Sequence, residues 1–213
     1  MAERTLSSLT ILLLGLGSQS IHAALAIDGS GQFQDQLRAA LTMLAQSNDP
    51  AINQLHAQLV SAPGVVTFRQ MTDDRATWSN DGDPNRGHTE PSDGGPKREG
   101  RTSPTDATIY IPQSAIVPGS ERWRSGLLVH ELVHGLDLAT GRYNRDYAVR
   151  ERRAVFLQNI WRERTAFSLR TSYHAVFPTM DYQYAKSLGL TANYLEYIFS
   201  RSDFPAPPKV TSK

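Results

Sequence analysis

Two histidines four residues apart, with a glutamate after the first, are the residues best suited to chemistry: His130-Glu131-Leu132-Val133-His134. On an α-helix, residues four apart differ by about 40° in direction and about 6 Å in rise, so two imidazoles can grip one ion. Neutral imidazole is a good zinc ligand, and a zinc ion with an open position is catalytic. Glu131 can then move a proton from metal-bound water to a leaving amine. The spacing predicts a zinc peptidase with His130 and His134 as ligands and Glu131 as general base.

The pentad is a specific signal. With 6 His and 8 Glu among 213 residues, chance gives roughly 0.006 matches to it. It lies in an apolar segment that we expect to be helical from Ser120, as N-cap, to about Thr140, where Gly141 supplies a stop. The alternative is two hydrogen-bonded structural histidines with a salt-bridged glutamate.

A catalytic zinc ion takes three protein ligands, so the two histidines need a third. We expect a second helix from Asn144 or Asp146 towards Phe167, with Glu151 in the middle of its apolar stripe. A buried carboxylate needs a cation or a set of donors, and zinc would supply the cation. Pairing with the neighbouring arginines is the alternative. Asp137 and Asp146 are rival ligands, although Asp137 suits the orientation of a histidine and Asp146 suits a helix cap.

The oxyanion formed in amide hydrolysis needs cationic or hydroxyl donors. Arg170 and Tyr173 follow the second helix, and they would share one face if their segment were helical. We therefore take both as candidate catalytic residues, with His174 beside them. A surface arginine and packed aromatic rings are the alternative.

The remaining elements predict a small α+β domain, zincin-like and mainly helical with a short sheet, over residues 27–204. Apolar spacing predicts helices from Gln32 to Ser47 and again after Asp49-Pro50. Strands are expected at 65–68 and at 107–111, the latter half-buried at an edge or terminus because Pro112 ends it. That edge would pair with an extended substrate. The polar segment 73–105 predicts a flexible surface loop that contains a solvated His88, and 205–213 a disordered tail.

Residues 1–26 resemble an export segment. Arg4 precedes an apolar run from Leu6 to Leu16, and Ala24-Leu25-Ala26 fits a cleavage site. The run is too short for a membrane span. An uncleaved serine-rich export segment and an ordinary apolar helix are the alternatives.

Composition excludes several classes of protein. The absence of Cys rules out a disulfide scaffold, an iron–sulfur protein and a Cys nucleophile. A net charge of +1 argues against a nucleic-acid binder. We expect a monomer that acts on a protein substrate, with no nucleic-acid partner and no stable membrane association.

The pentad with Gly135-Leu136-Asp137, Gly141 and Glu151-Arg152-Arg153-Ala154-Val155 resembles the NleD-like bacterial effector metallopeptidases, whose relatives in plant pathogens are called HopH and XopG. The resemblance covers roughly residues 107–166. It implies a zinc endopeptidase that type III secretion injects into host cells and that acts on signalling proteins such as MAP kinases. The same resemblance implies His130 and His134 as ligands, Glu131 as base and Glu151 as third ligand.

Two other functions remain open at this point. The signal-like N-terminus allows a Sec-exported metallopeptidase that acts on envelope or extracellular protein. A non-catalytic module with a structural or vestigial metal site is the second alternative.

Overall fold

The computed structural model describes residues 10–12, 25–71, 87–95, 100–170, 172–173 and 177–178. These residues form a mixed α+β structure, which confirms the predicted fold class. The elements in chain order are β1 (Thr10–Leu12), β2 (Leu25–Asp28), α1 (Gly31–Ala45), α2 (Pro50–Ser61), β3 (Val66–Gln70), β4 (His88–Pro91), β5 (Ala107–Ile111), a 3-10 turn (Gln113–Ala115), α3 (Glu121–Arg124), α4 (Leu127–Ala139), α5 (Tyr147–Arg164), β6 (Ser172–Tyr173) and β7 (Phe177–Pro178).

The main sheet has five strands in the order β1-β2-β3-β5-β4. Strands β2, β3 and β5 run parallel, whereas β1 and β4 are antiparallel to their neighbours. Helices α1 and α2 connect β2 to β3, and α4 packs on β5, β4 and β3. The core lies between the sheet and these helices, and it contains Phe33, Leu37, Ile52, Leu55, Val66, Phe68, Ile109, Leu132 and Leu136.

The prediction of a half-buried edge strand at 107–111 is wrong in its position. All five residues of β5 are buried, because β3 pairs with one side of the strand and β4 with the other. Pro112 follows the last residue of the strand, where a missing N–H does not interrupt the pairing.

The loop predicted over 73–105 contains the strand β4, so that prediction is wrong at residues 88–91. Thr89 and Pro91 are buried, while His88 and Glu90 are only partly so. Four residues with three polar side chains give no strong strand pattern, and the strand forms because it pairs with β5. His88 is half-buried beside Glu90 and Tyr110 rather than simply solvated.

The first two helices follow their local signals. The Ser30 hydroxyl accepts a hydrogen bond from Phe33 N–H at the start of α1. The Asp49 carboxylate does the same for Ala51 and Ile52, and Pro50 takes the first helical position of α2.

The single helix predicted from Ser120 to Thr140 is two helices. Ser120 caps the short α3, and Gly126, with φ of 72°, separates it from α4. A left-handed backbone conformation favours glycine and interrupts a right-handed helix. The pentad therefore lies in the first two turns after this break.

Helix α5 begins as predicted, with the Asp146 carboxylate accepting a hydrogen bond from Ala148 N–H at 2.9 Å. After it, Ser172–Tyr173 pairs with Phe177–Pro178 as a short strand. A helical face shared by Arg170 and Tyr173 is therefore not formed.

The predicted export segment overlaps the sheet, because Leu25 and Ala26 are buried in β2. The tail 205–213 lies outside the described residues. Among the helices of the described ranges, none has the length and apolarity needed to cross a membrane.

Candidate active site

Helices α4 and α5 bring three ionisable side chains together. The two facing nitrogens, His130 Nε2 and His134 Nε2, are 3.2 Å apart. The carboxylate of Glu151 lies 3.2 Å from the first of them and 3.4 Å from the second. All three residues are buried, and this cluster could hold a metal ion.

The spacing of these donor atoms fits zinc. Two ligands at about 2.0–2.1 Å from a tetrahedral zinc ion are about 3.3–3.4 Å from each other. The two Nε2 atoms are 3.2 Å apart, close to that value. Each of them also lies near one oxygen of Glu151, His130 at 3.2 Å from Oε2 and His134 at 3.4 Å from Oε1. Two imidazoles and one carboxylate are also the donor set of a catalytic zinc site that keeps an open position. We call His130, His134 and Glu151 the three-ligand cluster.

Gln158 fixes the tautomer of His130. The Gln158 amide donates from Nε2 to the Ser125 carbonyl at 2.7 Å, so its oxygen must face the imidazole. That oxygen lies 3.2 Å from His130 Nδ1, which therefore carries the proton. Nε2 is then the unprotonated nitrogen of the His130 ring, the one whose lone pair can bind a cation.

Burial and charge act in opposite directions on the pKa values of this cluster. Burial would raise the pKa of Glu151, but the charges and hydrogen bonds of His134 and His130 bring it well below its usual value. Burial would lower the pKa of His134, yet the Glu151 carboxylate raises it above the usual value. The carboxylate is therefore held charged, as a metal ligand must be.

Glu131 faces the strand β4. Its Oε2 accepts a hydrogen bond from the Thr89 hydroxyl at 2.7 Å. A Cβ added to Gly87 would lie 2.6 Å from Glu131 Cγ, so the strand can pass this close only with glycine there. Both Thr89 and Gly87 come from the segment that we predicted as a loop.

The rival ligands lie elsewhere. Asp137 is 1% exposed and its carboxylate is 3.0 Å from the guanidinium of Arg153, across the contact between α4 and α5. Burial raises the pKa of Asp137, and Arg153 opposes this effect. Asp146 caps α5. Within the described residues, neither of them belongs to the three-ligand cluster.

Tyr143 is a neighbour of the cluster that sequence reasoning missed. Its ring centroid is 6.5 Å from that of His134, and the guanidinium of Arg150 lies 4.6 Å from it. Burial, together with the charges of Glu151 and Glu131, raises the pKa of Tyr143 to about 12, so its phenol stays protonated. Tyr143 lies in a connection, where no periodicity marks it.

The candidate oxyanion donors are less closely defined. The main chain of Arg170 exchanges two hydrogen bonds with the Asn159 side chain. Burial lowers the pKa of Arg162, and the positive charge of Arg170 lowers it further. The side chain of Tyr173 and all of His174 lie outside the described residues. Their catalytic roles stay predictions.

The sequence profile of the Peptidase_M91 family, whose members are described as effector proteins, matches residues 22–182. This match spans most of the chain, including every element from β2 to β7 and all residues of the three-ligand cluster. No curated protein and no solved structure gives a significant match.

Proposed function

The chain belongs to the Peptidase_M91 family of effector proteins, and we propose that it is a zinc-dependent endopeptidase that cleaves host signalling proteins. The observation that carries this proposal is the three-ligand cluster, in which the two imidazole Nε2 atoms are 3.2 Å apart and each lies 3.2–3.4 Å from an oxygen of the Glu151 carboxylate. Glu131 follows the first ligand in sequence and is buried beside the cluster. In this proposal His130, His134 and Glu151 hold the ion and Glu131 is the general base.

When bound, zinc would lower the pKa of a water molecule in its open position to near neutrality. Glu131 takes a proton from the attacking water and passes it to the leaving amine. Its Oε2 is already bonded to Thr89, so Oε1 is the oxygen available for the proton. The phenol of Tyr143 stays protonated and its ring centroid is 6.5 Å from that of His134, so we propose it as a further candidate donor. Arg170 and Tyr173 remain candidate oxyanion donors in this scheme.

The substrate would bind as an added strand at β4. We expected residues 107–111 to be the edge strand that binds substrate. Within the described ranges β4 is the last strand on that side of the sheet, so we assign this role to β4. An extended peptide can pair with the outer edge of such a strand through its main chain. Cleavage within an extended segment follows from this mode of binding.

The family supports an effector that is secreted into a host. The resemblance to the NleD-like proteins favours delivery by type III secretion and MAP kinases as targets. Sec-dependent export, with action on envelope or extracellular protein, is the alternative. Sequencing the N-terminus of the secreted protein decides between them, since a start at Ile27 would favour Sec.

Replacement of the general base tests the activity. We expect Glu131→Gln to bind zinc like the wild type and to reduce cleavage by about 10²–10⁴-fold. Proteomic mapping of new N-termini in host-cell extract, with wild type against the variant, would measure this and identify the substrates. Glu121→Gln, on an exposed residue of α3, is the matched control.

Two outcomes would contradict the proposal. A Glu131→Gln protein that cleaves as fast as wild type would remove Glu131 from the base role. A wild-type protein that holds zinc and produces no new N-termini would favour the non-catalytic metal-binding module.

A further inference from the structure

We propose that Thr89 couples substrate binding to the general base: its hydroxyl holds one oxygen of Glu131 while its main chain pairs with the substrate. This inference rests on the proposed peptidase function. It makes Thr89 a positioning residue for Glu131.

The hydroxyl contact is short and buried. Thr89 Oγ1 lies 2.7 Å from Glu131 Oε2 and 3.3 Å from the Glu131 main-chain carbonyl. Thr89 and Glu131 are each only 5% exposed. A hydroxyl has one hydrogen to donate, and the shorter bond to the charged carboxylate takes it. The carboxylate is thereby held in one orientation, with Oε1 left for proton transfer.

Gly87 packs against the side chain of Glu131. It stands two residues before Thr89, just ahead of β4, and its backbone approaches the same glutamate. A Cβ at Gly87 would lie 2.6 Å from Glu131 Cγ and 3.0 Å from Oε1. Gly87 and Thr89 therefore restrict the Glu131 side chain together, Gly87 by close packing and Thr89 by its hydrogen bond.

The main chain of Thr89 faces the outer edge of the sheet. In an antiparallel pair, residues alternate between those whose N–H and C=O face the partner and those whose groups face away. Ser92 N donates to Asp106 O at 2.8 Å, so the pairs His88–Tyr110 and Glu90–Thr108 are the bonded ones in this register. The N–H and C=O of Thr89 consequently point away from β5.

Pro91 limits how far an added strand can pair. It is the next residue whose main chain points outward, and it has no N–H to donate. The outer edge therefore offers both a donor and an acceptor at Thr89 but only an acceptor at Pro91. A substrate strand that bonds to Thr89 is held beside the carboxylate that Thr89 orients.

The test compares Thr89→Val with Thr89→Ser in the zinc-loaded full chain, on the peptide cleaved fastest in the host-extract map. Valine keeps the shape and loses the donor, whereas serine keeps the donor. We expect Thr89→Val to lower kcat about tenfold or more, as for loss of a charge-assisted hydrogen bond. KM, zinc content and unfolding temperature should be nearly unchanged, and Thr89→Ser should restore most of kcat.

Thr108→Val is the matched control. Thr108 is also a buried threonine, on the neighbouring strand, and its hydroxyl bonds to Ser92 at 2.8 Å. We expect this variant to keep kcat. If Thr89→Val lowers the unfolding temperature, the comparison of Thr89→Ala with Thr89→Ser replaces it.

Wild-type kcat in Thr89→Val, or equal losses in Thr89→Val and Thr108→Val, would overturn the inference while leaving the peptidase function standing. A wild-type protein that cleaves no peptide would overturn both.

Discussion

His130 and His134 are held in different ways. Gln158 fixes the ring of His130 through its Nδ1, as described above. For His134, the part of the chain that the structure describes offers Nδ1 no hydrogen-bond partner. The orientation of His134 therefore depends on packing in α4 and on Glu151, whereas His130 has the Gln158 amide in addition to Glu151.

Removal of that amide should weaken metal binding. We expect Gln158→Leu to lower zinc affinity about 10–100-fold, because the imidazole loses the acceptor that fixes its tautomer. Competition against a fluorescent zinc chelator measures the affinity. Gln32→Leu, on the exposed side of α1, should bind zinc like wild type. Equal affinity in Gln158→Leu and wild type would show that the bond does not orient the ligand.

Sequence reasoning reached the pentad because its geometry is local: one helix sets the positions of all three residues. Glu151 came from a second local signal, a carboxylate within an apolar stripe. Thr89 and Tyr143 gave no such signal, since each reaches the site from an irregular or very short segment. Their positions depend on long-range packing that a single sequence does not display.

At the scale of elements, the break between α3 and α4 places Gln158 near His130. Gly126 has φ of 72°, and a Cβ there would lie 3.0 Å from Gln158 Cγ. Glycine at this position thus allows the left-handed backbone conformation and also leaves room for α5 to approach closely. Sequence periodicity runs through this position, so we predicted one continuous helix. A single glycine inside a helical pattern is often tolerated, which is why the break is hard to predict.

We expect Gly126→Ala to reduce both stability and zinc affinity. A left-handed conformation costs a non-glycine residue about 1–2 kcal/mol, and displacement of Gln158 adds to this. Gly119→Ala is the control, because Gly119 has φ of 83° but a Cβ there meets nothing within 4 Å. Urea unfolding should show a larger loss of unfolding free energy for Gly126→Ala. Similar losses in both variants, with zinc affinity unchanged, would show that crowding against Gln158 is unimportant.

At the scale of the whole molecule, the contact between α4 and α5 contains buried charges. Asp137 and Arg153 form one pair across it, at 3.0 Å. Glu151 and the two histidines form a second polar group in this contact. Buried charges are stable only when they are compensated, so a cation in the three-ligand cluster should stabilise the packing of these helices.

This coupling makes the effect of zinc on stability depend on pH. Without zinc, the raised pKa of His134 stabilises the fold below the unfolded value of about 6.5, and this contribution is lost as pH rises through the folded pKa. The lowered pKa of Glu151 adds stability above about pH 4.3, which is lost as pH falls. The cluster therefore supports the zinc-free protein best at mildly acidic pH.

Zinc needs both imidazoles neutral, so protons compete with it in that same range. We expect the unfolding temperature with zinc, minus that with EDTA, to increase from pH 6 to pH 8. Differential scanning fluorimetry at pH 6, 7 and 8 measures this difference. Glu151→Gln should show a smaller difference at every pH, because the variant lacks the charged ligand. A difference that is constant or falls towards pH 8 in the wild type would mean that zinc does not displace the proton of His134, and that the ion binds elsewhere.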